Sequence, residues 1–364
     1  MILSRYMARK FLNAFGIVLG VMVGILFLID IVEHLRQHAG RGIGMAEAAR
    51  LSALHLPGAI YEVLPLVTML ATLALFVGLA RSSELVVTRA AGRSALHVVA
   101  APTAVALVLG VLAVAVFNPI VAVTSTQYEL RQARIQGVDD HIMTIGRDGL
   151  WLREGWAEGQ RVISASRAER AGTLLHNVTM LGFDHARGPV TRIEAREAEL
   201  TPGNWLLRDA KSWPLETPNP ERNATVHETL ELPTGLSAAR IRESFAAPGS
   251  IAIWDMPGFI AALDRAGLSA REHRVWLQME LALPLFLMAM VLVGAGFTMR
   301  HFRAGNRGML VLAALLCGFA AFFLRNLAQV LGENGQIPVA LAAWSPPAVA
   351  LLLALALLLH LEEG

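Results

Sequence analysis

His34 and His38 stand four residues apart in "EHLRQH", and on a helix that spacing turns both imidazoles to one face, where they could share a metal ion. No acidic residue occupies the place that a zinc-hydrolase motif gives it, so a solvated helix and no metal are expected. The lone Cys317 lies mid-way along an apolar run, which excludes an intrachain disulfide and leaves no thiolate set for a metal. The sequence contains no G-x-x-x-x-G-K-[ST], no H-E-x-x-H and no G-x-S-x-G. A non-catalytic chain without a cofactor is therefore expected, and any ATP chemistry that drives it must come from another protein.

The basic residues offer a different chemistry. Arg325 is the one charged residue inside the run from Met309 to Leu331, 16 residues past its start and so about 24 Å along a helix. A guanidinium at that depth is costly unless it is paired or wet, and its planar fork suits a phosphate, so Arg325 is a candidate for binding an anionic lipid. Arg36 and Arg41, just past the first apolar run, are weaker candidates for the same work. Gly16, Gly20 and Gly24 repeat at four-residue spacing on one face of that run, a stripe that lets another helix approach closely.

These residues need elements to hold them, and composition says what kind. Of 364 residues 55% are hydrophobic and 16% charged, below the charged fraction of about 25% usual for soluble domains. The mean hydropathy is +0.51, which marks an integral membrane protein. With a net charge of +2 and only Lys10 and Lys211 as lysines, nothing points to nucleic acid.

Six runs approach the length of about 20 residues that spans a bilayer. They are Phe11 to Ile29, Val63 to Ala80, Val98 to Phe117, Leu281 to Met299, Met309 to Leu331 and Ile337 to Leu361. The first follows Arg5, Arg9 and Lys10 like a signal peptide, but it is long and ends in "DIVEH" without a cleavage site, so it reads as a retained anchor. Short-loop arginines put the N-terminus, the segment with Arg81, Arg89 and Arg93, and that with Arg300, Arg303 and Arg307 on one side, the cytoplasm. Both termini are then cytoplasmic.

Between spans two and three, "GLARSSELVVTRAAGRS" reads as a short cytoplasmic helix near residues 82–91. Ser82 or Ser83 can cap it, Glu84 suits its first turn, Arg89 its last, and Gly92 is the C-cap. Leu85 and Arg89 share one face, so the helix offers a small apolar ridge flanked by charge, fit to dock on another protein or to lie on lipid headgroups.

From 124 to 270 the texture changes. Segments such as "RVISASRAER", "LLHNVTMLGF", "VTRIEAREAEL" and "NWLLRDAKSW" alternate in polarity and are separated by turn clusters, which predicts an inserted, mostly β domain on the far side of the membrane. Spacing alone leaves a sandwich and a jelly roll both open. Residues 1–123 form the first three spans and 271–364 the last three.

"LPGAIYEVLPLVTMLATLALFVGLARSSELVVTRAAGRS" resembles the most recognisable block of the lipopolysaccharide export permease family, and the resemblance extends from "SRYMARKFL" to "GENGQIPVALAAWSPP". The block "SELVVTRAAG" leans to the G-type member of the family's F and G pair. The resemblance implies six transmembrane helices with an inserted periplasmic, jelly-roll-like all-β domain, in the bacterial inner membrane. It implies an F-type partner subunit, two cytoplasmic ATPase subunits that bind ATP and Mg, an accessory single-span C subunit, a periplasmic bridge protein, and lipopolysaccharide as cargo. Ser83, Glu84, Leu85, Arg89 and Gly92 would then belong to the helix gripped by the ATPase, and the stripe of Gly16, Gly20 and Gly24 would suit the single-span subunit. Relatives tend to be basic just outside span one, whereas Asp30 and Glu33 precede Arg36 here. An ATP-driven permease for another lipid has the same physical requirements and is the nearest alternative. A secondary transporter would carry internal repeats, which are not evident, and a tethered sensor would not need six spans.

Overall fold

The computed structural model describes residues 2–37, 44–90, 94–136, 143–146, 149–156, 159–169, 172–184, 188–237, 241, 247–265, 268–299 and 307–363. These residues form two compact units. The first, helical unit holds residues up to 128 and from 271 onward, with Ala252–Trp254; the second holds 129–251 and 255–270.

In the helical unit α1 runs Ile2–Gln37, α2 Met45–Arg81, α3 Glu84–Ala90 and α4 Ala95–Leu112. A π-helical turn, Ala113–Phe117, leads straight into α5, Asn118–Gln136. Among the described residues six helices are long and apolar enough to cross a membrane, α4 and α5 together making one of them. A chain in hydrocarbon must satisfy its polar groups internally. Thr68, Thr72, Thr103 and Thr298 do so by donating to the carbonyl four residues back, at 2.6 to 2.9 Å. Pro57 and Pro65 lie inside α2 without ending it.

After the sheet come α6 (Met256–Arg265), α7 (Arg271–Thr298), α8 (Arg307–Glu333) and α9 (Val339–Glu363). Span α7 is the hub: its most apolar window is 72% buried, against 61% for α2. Phe11, Phe76, Val99, Leu287 and Leu358, from five helices, share one core. Backbones come close where α4 meets α7, because a Cβ built on Gly110 would lie 2.5 Å from the Pro284 Cα. Pro284 thus sits at a tight helix crossing. The same windows of α1 and α8 are only 6% and 11% buried, so this chain leaves those two spans largely uncovered.

The second unit is built on one antiparallel sheet of seven strands in sequence order: β1 (Met143–Gly146), β2 (Gly149–Trp156), β3 (Gly159–Glu169), β4 (Leu174–Asp184), β5 (Gly188–Thr201), β6 (Asn204–Pro214) and β7 (Thr225–Pro233). Each strand pairs with its chain neighbour, a meander. The alternation read from the sequence is the reason: Ile163, Val178, Met180, Ile193, Ala195, Trp205 and Leu207 point to one face and form a core that Leu263 of α6 joins. Thr124, where the sequence texture changes, still lies within a helix, since α5 continues to Gln136.

Candidate functional site

The short helix α3 forms inside the predicted stretch 82–91, but Ser82 closes α2 instead of capping α3, and the structure shows how the helix is held. The Ser82 backbone N–H donates to the Gly78 carbonyl at 3.0 Å and closes α2. Ser83 then takes a left-handed φ of 59°, which turns the chain so that α3 starts at Glu84. Glu84 is held across to α1: it accepts from the Lys10 ammonium at 2.8 Å and from the Tyr6 hydroxyl at 2.8 Å. The Ser82 hydroxyl donates to it at 2.9 Å. The Lys10 hydrogen bond foremost, then Tyr6, holds the Glu84 carboxyl below the usual carboxylate range.

Leu85, expected on the docking ridge, is buried in the helical core instead, because α3 folds back onto the bundle. Among the described side chains of α3 the apolar one left outward is Val87, 67% exposed. Arg89 lies in the helix, but its side chain is outside the described residues, as is Gly92.

A second polar group sits inside the bundle. Glu280 of α7 is 4% exposed and accepts a hydrogen bond from the Tyr61 hydroxyl of α2. Asn118, at the exit of the π-helical turn, lies near both and interacts with them. Its side-chain oxygen also accepts from the Ile253 backbone N–H at 2.9 Å. Arg325 of α8 completes the group: it interacts electrostatically with Glu280, Tyr61 and Glu62, and its guanidinium carbon lies 5.7 Å from the centre of the Phe286 ring. Arg325 is thus half-buried and places a positive charge beside a buried carboxyl.

At the C-terminal end of α1, Arg36 makes a two-pronged ion pair with Glu33 at 2.8 and 2.9 Å, while Arg41 lies outside the described residues. Glu33 thus already engages the cation that the sequence offered to lipid. Gly16, Gly20 and Gly24 are exposed, and a Cβ on any of them would meet nothing within 4 Å. The stripe therefore faces away from this chain's own helices.

His34 departs from the solvated-helix reading: it is 4% exposed. The acidic partner sought in the sequence lies four residues before it, Asp30, on the same helical face, and His55 of α2 lies beside both. His38 is outside the described residues.

The family described as "Lipopolysaccharide export system permease LptF/LptG" matches residues 5–360. The chain belongs to the LptF/LptG family. Its similarity to individual members of that family is low in identity and nearly complete in length. It is 22% identical over 343 residues to the lipopolysaccharide export system permease protein LptG of Haemophilus influenzae, covering 92% of this chain and 91% of the relative. It is 23% identical over 365 residues to the LptG of Escherichia coli K12, covering 99% and 98%. Six spans and an inserted β domain are thus present in a member of the LptF/LptG family.

Sequence reading alone missed Tyr61, Asn118 and Glu280. A signal was available for Glu280, which sits in the apolar stretch "LQMELALPLF": starting the fourth span at Leu281 set aside a carboxyl that the helix carries into its core. Tyr61 and Asn118 gave none, since neither residue type is unusual at a span end.

Proposed function

We propose that this chain is the G-type permease subunit of an ATP-driven inner-membrane transporter that extracts lipopolysaccharide and passes it to a periplasmic bridge toward the outer membrane. The observation that carries this is the family match over residues 5–360, together with relatives named LptG that align over nearly their whole length. The pattern of burial supports it. A permease that works as half of a pair must leave some spans for its partners and for lipid, and α1 and α8 are those spans, 6% and 11% buried.

In this reading both termini and α3 are cytoplasmic and the β sheet is periplasmic. The chain binds no ATP or Mg itself; two ATPase subunits below do so, and α3 transmits their movement. Because Glu84 ties α3 to Lys10 and Tyr6, a push on α3 reaches the start of α1 directly. An F-type subunit completes the cavity, and an accessory single-span subunit packs on the stripe of Gly16, Gly20 and Gly24. Apolar faces of α1 and α8 give lipid tails a wall, and Arg325 gives phosphates a positive field.

The test is reconstitution. The chain is co-expressed with its F-type partner and ATPase, placed in proteoliposomes with lipopolysaccharide, and assayed for ATP-dependent release to a periplasmic acceptor. Transport of lipopolysaccharide is the expected result. A complex that assembles and hydrolyses ATP but moves only another lipid refutes the reading.

A further inference from the structure

We infer that Asp30, His34 and His55 form a divalent-metal site of the zinc class that joins the C-terminal end of α1 to the N-terminal part of α2. Asp30 and His34 are four residues apart on α1 and so share one face. His55 comes from α2, and the ligand atoms of the three all lie within 4.8 Å of one another. His55 Nδ1 and Asp30 Oδ2 share a hydrogen bond at 2.7 Å, a contact that a metal held between them would replace. Tyr128 of α5 lies against both imidazoles, with ring centres 5.6 Å from His34 and 5.1 Å from His55.

Two imidazoles and one carboxylate are a ligand set that zinc takes readily, with ligand distances of about 2.0–2.2 Å and water in the fourth position. Tetrahedral ligands at those distances stand about 3.3–3.6 Å from one another, so small side-chain rotations bring atoms that lie within 4.8 Å of one another around one ion. Exposure leaves a path for entry: the His55 side chain is 43% exposed and that of Asp30 17%, while His34 at 4% sits at the base. With neutral imidazoles the three groups carry one negative charge, which a dication offsets. Ligation would tie α1, whose apolar window is only 6% buried, to the better-buried α2. The site is built from residues other than those of α3 and the Glu280 group and does not depend on the cargo.

The experiment uses the full chain, purified in detergent with a tag free of histidine and stripped with a chelator. Co²⁺ is titrated in and followed by its visible absorption, then displaced by Zn²⁺, with thermal unfolding recorded in parallel. One saturable equivalent is expected, with Zn²⁺ raising the unfolding temperature. His55→Asn and Asp30→Asn should weaken binding by more than about 100-fold, beyond the cost of losing an outer-sphere partner, and should abolish the thermal shift. Arg36→Ala, on an exposed side chain, should change neither. His34→Ala removes a buried ring, so it is read only if its metal-free unfolding matches wild type. A wild-type chain without a saturable band overturns the inference, as do His55→Asn and Asp30→Asn chains that bind as tightly as wild type.

Discussion

Arg325 and Glu280 should be energetically coupled, and a double-mutant cycle measures by how much. Both lie in membrane-spanning helices: Glu280 is 4% exposed, and Arg325 interacts with it and stacks near Phe286. Arginine stays charged in a protein interior, so truncating it leaves the Glu280 carboxyl buried with Tyr61 and Asn118 but without its cation. A buried polar group left without its partner costs about 1–3 kcal/mol. Replacing both groups with neutral ones removes that penalty, so Glu280→Gln with Arg325→Ala should regain most of the stability lost in Arg325→Ala alone, a coupling of about 1–3 kcal/mol. The four proteins are compared by SDS-induced unfolding in mixed micelles and by transport in proteoliposomes. Arg325→Lys should recover stability only in part, since a point charge replaces a fork that also lies over an aromatic ring at 5.7 Å. Transport separates the roles: if Arg325 also meets lipid phosphate, the double variant should unfold like wild type yet cross-link less lipopolysaccharide. Additive effects of the two substitutions, with coupling near zero, would refute the paired-charge reasoning.

Further outcomes follow from the other contacts. Lys10→Ala and Glu84→Ala should both impair coupling of ATP hydrolysis to transport, although the pair itself contributes about 1 kcal/mol or less at a third exposure; a silent Lys10→Ala beside a defective Glu84→Ala would show that Glu84 serves only the partner. Because the folded carboxyl of Glu84 titrates below its ordinary value, its contribution is present above the usual carboxylate range near pH ~4.3 and is lost as pH falls through the lowered value. Hydrogen exchange in α3 should accordingly rise in acid, and Glu84→Gln should flatten that dependence. Gly20→Leu should leave the isolated chain folded, since nothing lies within 4 Å, while reducing capture of the single-span subunit; unchanged capture would place that partner elsewhere. In the sheet, Arg161 donates to Glu154 at 2.6 Å with both side chains at most 3% exposed, so Arg161→Ala should destabilise the β unit by about 3–5 kcal/mol in chemical unfolding.

Much of this architecture is legible in the sequence because it is written in period and composition. Apolar runs near bilayer length announce the six spans, since backbone polar groups cannot stay unpaired in hydrocarbon and a helix is the local way to pair them. Alternation in "RVISASRAER" and its neighbours announces strands, because side chains on a strand take opposite faces. The α3 helix is legible too, from its serines, Glu84 and the apolar residues after it. What those residues touch is decided elsewhere. Glu84 meets Lys10 across 74 positions and Glu280 meets Tyr61 across 219, and no local pattern encodes such separations. Leu85 faces inward and Val87 outward only because α3 folds back on the bundle, a packing outcome that helical spacing leaves open. Asp30 and His34 share a face by sequence alone, yet His55 joins them only where α2 returns beside α1. Local energetics set which segments are helices and strands; the close packing of helix on helix chose which polar side chains must satisfy one another, and that choice made the sites.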